Sequence, residues 1–165
     1  TFASAEQRFA MVRAAVAGQS GFVVDDRDIR RDGPSYTVDP LAALRAEFPE
    51  LPLGLIQGMD AFLNLAGSHR WDEILELAHI IVAHRPGWRA PDYGALGEIL
   101  EDHGTHKVES LHEAPAGLVH IHAVTQLEIA STDIRELIAI GRDPRFLMPD
   151  AVIDVLREYR CYAGH

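Results

Sequence analysis

The stretch Ile129-Ala130-Ser131-Thr132-Asp133-Ile134-Arg135 decides how this chain is interpreted. It follows an apolar run over 117–124 that predicts a β-strand, and it opens a run over 133–140 that predicts a helix. A strand, a short turn of small residues and a helix in this order are typical of a β-α unit in a parallel sheet.

Hydroxyl side chains at such a turn suit a phosphate group. The first N–H groups of a helix have no intrahelical partner, and the helix dipole places partial positive charge there. Ser131 or Thr132 could donate to a phosphate oxygen, and Arg135, one turn into the helix, could hold the anion with two donors. A plain helix N-cap followed by a surface arginine fits the same pattern.

Outward from this turn, apolar runs alternate with helical patterns. Ser4 and Gln7 form a capping-box pattern, and Asp39-Pro40 reads as an N-cap followed by the first helical residue. The periodicity predicts further strands over 21–25, 53–57 and 79–84, helices over 5–17, 40–48, 71–77, 92–102 and 149–159, and a loop over 103–116. The alternation predicts an α/β fold, a Rossmann-like parallel sheet with flanking helices.

Three segments directly follow predicted strands: Gly58-Met59-Asp60, Arg85-Pro86-Gly87 and Ser131-Thr132. In open parallel sheets, ligands bind at the carboxyl ends of the strands. We therefore expect these segments to collect on one rim of the sheet.

The bulk composition excludes several functional classes. The chain of 165 residues predicts a single domain over 1–165, and its formal net charge of −10 argues against nucleic acid or an anionic membrane as partner. Cys161 is the single cysteine, which excludes an internal disulfide and favours a reducing compartment. The sequence shows no membrane-span pattern and no signal-peptide pattern, so we expect a cytoplasmic protein.

Four motifs in order resemble those of one enzyme family. The segment 31–39, Arg-Asp-Gly-Pro-Ser-Tyr-Thr-Val-Asp, resembles an R-x-x-P-S-Y-T-x-D motif. The segments 55–62 and 79–87 resemble an I-I-G-x-D motif and a strand ending in R-P-G. With the Ser131-Thr132-x-x-Arg135 turn, they resemble bacterial nicotinate mononucleotide adenylyltransferases, members of the nucleotidyltransferase α/β phosphodiesterase superfamily.

The resemblance implies adenylyl transfer from ATP to nicotinate mononucleotide, which gives deamido-NAD and pyrophosphate in NAD biosynthesis. It implies Mg²⁺ bound with ATP, no tightly bound cofactor, and a monomer or homodimer. The implied ATP-binding residues are Gly58, Asp60, Ser131, Thr132 and Arg135, and the implied substrate-binding residues are Ser35, Tyr36, Thr37, Ser68, His69 and Arg85.

Plainer roles remain open for several of these residues. Asp60 could be the N-cap of a short helix, Ser35 and Thr37 could form a loop-to-helix turn, and Arg85 could be a solvated charge before a turn. Trp71, three residues after Ser68, is better placed for the core than for stacking on a pyridine ring.

The chain departs from the family at two places. The family has a tryptophan that stacks on the nicotinate ring where this chain has Ser68, and many relatives have serine where it has Ala130. The family's G-T-F-D-P-x-H-x-G-H segment, which carries its catalytic histidines, is absent. The catalytic residues are therefore unknown, and we expect this chain to be the C-terminal three-quarters of a nucleotidyltransferase domain that folds poorly and catalyses little alone.

Other interpretations stay open. A sister adenylyltransferase, such as the pantetheine-phosphate type, or a catalytically degenerate nucleotide-binding domain would share parts of the pattern. His120 and His122 lie on one face of a predicted strand, but together with His79 and His84 they lack metal-ligand spacing. We predict surface or half-buried histidines and no metal site.

Overall fold

A computed structural model describes residues 3–84, 93–125, 127 and 129–163. The chain forms two compact units, a helical unit made of Thr1–Gly33 with Leu127–His165 and a sheet unit made of Pro34–Gln126. The single domain predicted over 1–165 stays a prediction. The α-helices are α1 Ala5–Val16, α2 Arg27–Arg30, α3 Val38–Glu47, α4 Met59–Leu63, α5 Asp72–Leu77, α6 Gly94–His103, α7 Ser131–Ala139 and α8 Asp150–Glu158. The strands are β1 Gly54–Gly58, β2 His79–His84, β3 Gly104–Thr105 and β4 Val119–Ala123.

The sheet unit is built on four strands in the order β1-β2-β4-β3, and every neighbouring pair is parallel. Leu55 lies opposite Ile80, and Ile80 lies opposite Val119, so apolar side chains of successive strands share one face. This confirms the predicted parallel α/β architecture, since parallel neighbours require crossovers such as the helices seen between the strands.

The core of the sheet unit lies on that apolar face. Ile80 and Val82 of β2 are fully buried, as is Phe62 of α4. They pack with buried residues of α3, α5, α6 and β4, and Trp71 packs against the same cluster. The prediction that Trp71 belongs to the core is therefore confirmed.

Arg45 of α3 forms hydrogen bonds with the backbone of several loops of the sheet unit. Its guanidinium donates to the carbonyl oxygen of Leu77 at 2.7 and 3.0 Å and to that of Pro115 at 2.6 Å. It also donates to the carbonyl oxygens of Phe48, Pro49 and Leu51. One cation thus satisfies the carbonyl groups at the ends of α3 and α5 that have no helical partner.

The helical unit is held by packing between α1 and α8. Val152 and Leu156 of α8 and the thiol of Cys161 are buried against Met11 and Ala14. The predicted capping box is confirmed: the Gln7 N–H donates to Ser4 Oγ at 3.2 Å, and the Ser4 N–H donates to Gln7 Oε1 at 2.8 Å.

Several predicted elements are wrong. The predicted strand over 21–25 does not form, because a strand needs a neighbour for its hydrogen bonds and this segment leaves Phe22 and Val23 exposed without ladder pairing. The predicted N-cap Asp39 lies inside α3, whose N-cap is Thr37. The predicted loop over 103–116 contains the short strand β3 and a 3-10 turn over Val108–His112.

None of the helices in the described part of the chain is both long enough and apolar enough to cross a membrane.

Candidate nucleotide site

Gly58 ends strand β1, and Asp60 lies two residues later in the first turn of α4, so both are at the carboxyl edge of the sheet. Gly58 is the N-cap of α4, so the alternative in which Asp60 caps this helix is wrong. Asp60 is exposed in the first turn, and its carboxylate forms no hydrogen bond or ion pair among the described residues. A Cβ at Gly58 would meet no atom of the described residues within 4 Å, so these residues leave space at the strand end. A free carboxylate beside an open strand end can accept two hydroxyl groups.

A pair of aromatic rings lies in the same unit. The centroids of the Tyr36 and His69 rings are 4.2 Å apart, and their planes are tilted by 36°. Tyr36 is 42% exposed, and His69 is exposed as well. The structure therefore brings together two predicted substrate-binding residues from segments far apart in the sequence, and their rings can contact a flat ligand.

The polar residues near these rings are exposed. Ser35 and Thr37 flank Tyr36, and neither is buried. Ser68 precedes His69, and its Oγ donates to the Asn64 carbonyl at 3.4 Å. The 3-10 turn Leu65–Gly67 ends directly before Ser68. These residues can offer hydroxyl or backbone donors to a carboxylate on a ligand ring.

Arg70 connects the two ring-bearing segments and is absent from the predicted site. It donates from Nε to Glu73 Oε1 at 2.6 Å and makes a second bond to Glu73 Oε2. Its Nη1 lies 3.8 Å from Asp39 Oδ1. The hydrogen bond from Arg70 lowers the pKa of Glu73 below its ordinary value, so Glu73 is ionised at neutral pH. No pattern in the sequence signals this bridge, because it joins the turn before α5 to the first turn of α3, more than 30 residues earlier in the chain.

The predicted phosphate turn lies in the helical unit. Helix α7 begins at Ser131 with Ala130 as N-cap, so the prediction that Ser131 or Thr132 caps the helix is wrong. Ala130 supplies no side-chain cap because it has no polar group. Arg135 Nη2 donates to Thr132 Oγ1 at 3.1 Å, which places two of the predicted phosphate-binding side chains together at the helix start.

Ser131 and Arg135 also line a cavity of about 170 Å³ with mainly apolar walls. This is smaller than the roughly 300–1,000 Å³ of a typical ligand pocket, so it does not itself hold a nucleotide. The exposed first turn of α7 is the part available to an anion, although Asp133 adds a negative charge there.

The structure describes only part of the rim that the sequence predicts at the carboxyl ends of the strands. Gly58 and Asp60 lie at the carboxyl end of β1, as predicted. Arg85, with Pro86 and Gly87, lies outside the described residues. Residues 124–130 separate β4 from α7, so Ser131 does not follow its strand as directly as predicted.

The histidines have structural partners. His79 is 1% exposed, and its Nδ1 accepts from the Leu118 N–H at 3.1 Å, so the Nε2–H donates to the Ala114 carbonyl at 2.8 Å. His120 is also buried, and its Nδ1 lies 3.0 Å from the Thr105 carbonyl oxygen. The prediction of surface or half-buried side chains is therefore wrong for these two. Within the described ranges, no group of three His, Cys, Asp or Glu residues is placed to hold a metal ion.

Comparison with known proteins places this geometry in a family. Residues 1–137 match the cytidylyltransferase-like family. The chain is 46% identical over 162 residues to a protein of Aeromonas salmonicida (strain A449) named "Probable nicotinate-nucleotide adenylyltransferase", covering 98% of this chain and 75% of that protein. The chain belongs to the nicotinate-nucleotide adenylyltransferase family. A protein of the same name from Hahella chejuensis (strain KCTC 2396) is 44% identical over 163 residues, 98% of this chain and 74% of that protein.

Solved structures agree on the fold of the family. The nicotinic acid mononucleotide adenylyltransferase of Plasmodium falciparum complexed with APC has a TM-score of 0.64 at 15% identity, covering 96% of this chain and 76% of that chain. The same enzyme complexed with NaAD has a TM-score of 0.64 at 14% identity, covering 98% of this chain and 76% of that chain. The nucleotidyltransferase fold expected from the motifs is therefore confirmed.

Proposed function

We propose that this chain forms part of an enzyme that transfers the adenylyl group of ATP to nicotinate mononucleotide. The observation that carries the proposal is the 46% identity to a relative of that name over nearly the whole chain. The exposed Tyr36–His69 ring pair and the free carboxylate of Asp60 add groups that suit a pyridine nucleotide and a ribose.

In the proposed reaction, a phosphate oxygen of nicotinate mononucleotide attacks the α-phosphorus of ATP in line. The new P–O bond forms as the bond to the bridging α–β oxygen breaks, and the electron pair leaves with pyrophosphate. Such a reaction needs no covalent intermediate with the protein, so catalysis depends on positioning and on stabilising negative charge.

Each predicted residue has a proposed task. Ser131, Thr132 and Arg135 would bind phosphate oxygens of ATP, since two of their side chains already meet at the start of α7. Asp60 would accept from ribose hydroxyls, and Gly58 would leave room for the sugar. The substrate-binding set of the acceptor is Ser35, Tyr36, Thr37, Ser68, His69 and Arg85.

Mg²⁺ is proposed to arrive with ATP as part of the substrate complex. Divalent magnesium keeps several waters and binds through substrate phosphates together with one or two carboxylates. When bound, it neutralises charge on the leaving pyrophosphate. We further propose a cytoplasmic protein without a nucleic-acid or membrane partner, as monomer or homodimer, in accord with the net charge of −10.

The test is Arg135→Ala in the intact protein encoded by the gene, with ATP affinity measured by titration calorimetry. Loss of a charge-assisted pair of hydrogen bonds is worth about 1.5–3 kcal/mol, so we expect ATP binding to weaken roughly 10- to 100-fold. Arg142→Ala, just beyond the end of α7, is the matched control and should leave ATP affinity unchanged. Unchanged ATP affinity in Arg135→Ala would refute the phosphate assignment.

The acceptor is tested separately by product analysis. The intact protein is supplied with Mg·ATP and, in parallel, nicotinate mononucleotide, nicotinamide mononucleotide or pantetheine phosphate. Formation of deamido-NAD supports the proposal. Product from pantetheine phosphate alone would assign a sister adenylyltransferase, and no product with retained ATP binding would assign a nucleotide-binding domain without catalysis.

A further inference from the structure

Arg70 connects the two segments that carry the rings of Tyr36 and His69. Its side chain is 46% exposed and faces two carboxylates, Glu73 in the first turn of α5 and Asp39 at the start of α3. The Asp39 side chain is 15% exposed, so the bridge to α3 is partly shielded from water. Shielding makes a charge pair stronger than a fully exposed one.

Both carboxylates are rigidly connected to this region. The Asp39 N–H donates to the Tyr36 carbonyl at 3.0 Å, which ties the position of Tyr36 to the first turn of α3. The Glu73 N–H donates to the Arg70 carbonyl at 3.2 Å, and His69 directly precedes Arg70. Moving the guanidinium would therefore shift both rings relative to each other.

The backbone at Arg70 adopts an uncommon conformation. Its φ is +53°, in the left-handed region that residues other than glycine, asparagine and aspartate rarely adopt. Such a conformation persists only where surrounding contacts enforce it, and it occurs preferentially at ligand sites. The bonds to Glu73 and Asp39 supply such contacts.

We infer that Arg70 is a positioning residue for the acceptor nucleotide: by bridging Asp39 and Glu73 it holds the Tyr36 and His69 rings against each other, and the acceptor's pyridine ring stacks on the exposed side of this ring pair. This inference rests on the proposed function. Arg70 itself does not contact the reacting atoms. Its effect is on the binding of nicotinate mononucleotide and not on that of ATP.

The experiment compares four variants of the intact protein by steady-state kinetics with both substrates. Arg70→Asn removes the guanidinium but tolerates the left-handed backbone, and Asp39→Asn removes the bridge from the other side. Glu76→Gln is the matched control, because Glu76 is an exposed carboxylate on α5 that makes no ion pair or hydrogen bond with Arg70 among the described residues.

We expect the KM for nicotinate mononucleotide to rise roughly three- to tenfold in Arg70→Asn and Asp39→Asn, as for loss of a partly shielded ion pair. The KM for ATP and kcat should change less than about twofold in these variants, and Glu76→Gln should change each parameter less than about twofold. Arg70→Lys should restore part of the loss, because a single ammonium can meet only one carboxylate at a time.

Two results would overturn the inference while the proposed function stands. One is an unchanged KM for the acceptor in both Arg70→Asn and Asp39→Asn. The other is a parallel loss of kcat and of affinity for both substrates with a lower unfolding midpoint, which would assign Arg70 a structural role. A wild-type protein that makes no deamido-NAD would instead refute the proposed function, and the inference with it.

Discussion

Arg45 offers the sharpest test of how the sheet unit is held together. Its guanidinium donates to carbonyl oxygens from three places in the chain: the end of α3, the end of α5 at Leu77, and the loop at Pro115 before β4. Replacing it by methionine keeps most of the aliphatic volume and removes every donor. The carbonyl groups then lose partners that water can replace only where they are exposed.

The magnitude follows from the burial of the individual bonds. The two bonds to the Leu77 carbonyl are partly buried and should contribute about 1 kcal/mol each, and the exposed bonds together about 1 kcal/mol more. We therefore expect Arg45→Met to lower the free energy of unfolding by about 3 kcal/mol. With a urea slope of about 2 kcal/mol per molar, the midpoint should fall by roughly 1.5 M.

The assay is urea unfolding of the intact protein followed by tryptophan fluorescence. Trp71 packs against the core of the sheet unit, so its fluorescence reports on the unfolding of that unit. Arg8→Met is the control, since Arg8 donates to the Ala3 carbonyl in the helical unit. A midpoint shift in Arg45→Met no larger than that in the control would show that the six hydrogen bonds contribute nothing measurable, and the reasoning would be refuted.

Three further predictions concern other parts of the fold. Gly104→Ala should lower the urea unfolding midpoint by more than a Gly→Ala change at an uncrowded site, because a Cβ there would lie 2.3 Å from the Leu100 carbonyl oxygen. An unchanged midpoint would contradict this clash. Ser4→Ala should destabilise α1 by about 1 kcal/mol, because it removes the capping box. The measurement is helical circular dichroism across a urea titration, and a destabilisation below about 0.3 kcal/mol would contradict the prediction. The hydrogen bond from Arg145 lowers the pKa of Asp143 from its ordinary 3.8, so this pair stabilises the protein above that pH and the stabilisation is lost as the pH falls through the lowered value. Arg145→Gln should accordingly flatten the acid dependence of the unfolding midpoint between about pH 5 and about pH 2, and an unaltered slope would contradict the assignment.

The predicted secondary structure agrees with the structure where the residues that determine an element are neighbours in the sequence. Strand β2 has the predicted bounds, His79–His84, since a continuous apolar run between polar residues and Pro86-Gly87 admits little else. The capping box at Ser4 depends on residues three apart, which the sequence displays directly. The sequence does not predict strand β3, because a run of two residues is too short to show the alternation of a strand. These residues form a strand only by pairing with β4.

For the candidate site, the sequence likewise indicates which residues take part and does not indicate how they are arranged in space. The family resemblance implies roles for Tyr36 and His69 one at a time, but the distance of 4.2 Å between their rings depends on how the segments before α3 and α5 pack together. The burial of His79 is not readable from its local sequence, because the two groups that satisfy its ring nitrogens come from residues 114 and 118.

The sequence by itself determined the parallel α/β class, the family and the residues that offer chemistry to a nucleotide. These depend on the order of residue types along the chain, which motifs and periodicity record directly. Only the tertiary structure decided that Arg70 bridges Asp39 and Glu73, that Arg45 collects carbonyl groups from three segments, and that Ala130 rather than a hydroxyl residue precedes α7. The physical reason is that ion pairs and hydrogen bonds between distant segments depend on distance and angle in space, and separation along the chain does not fix either.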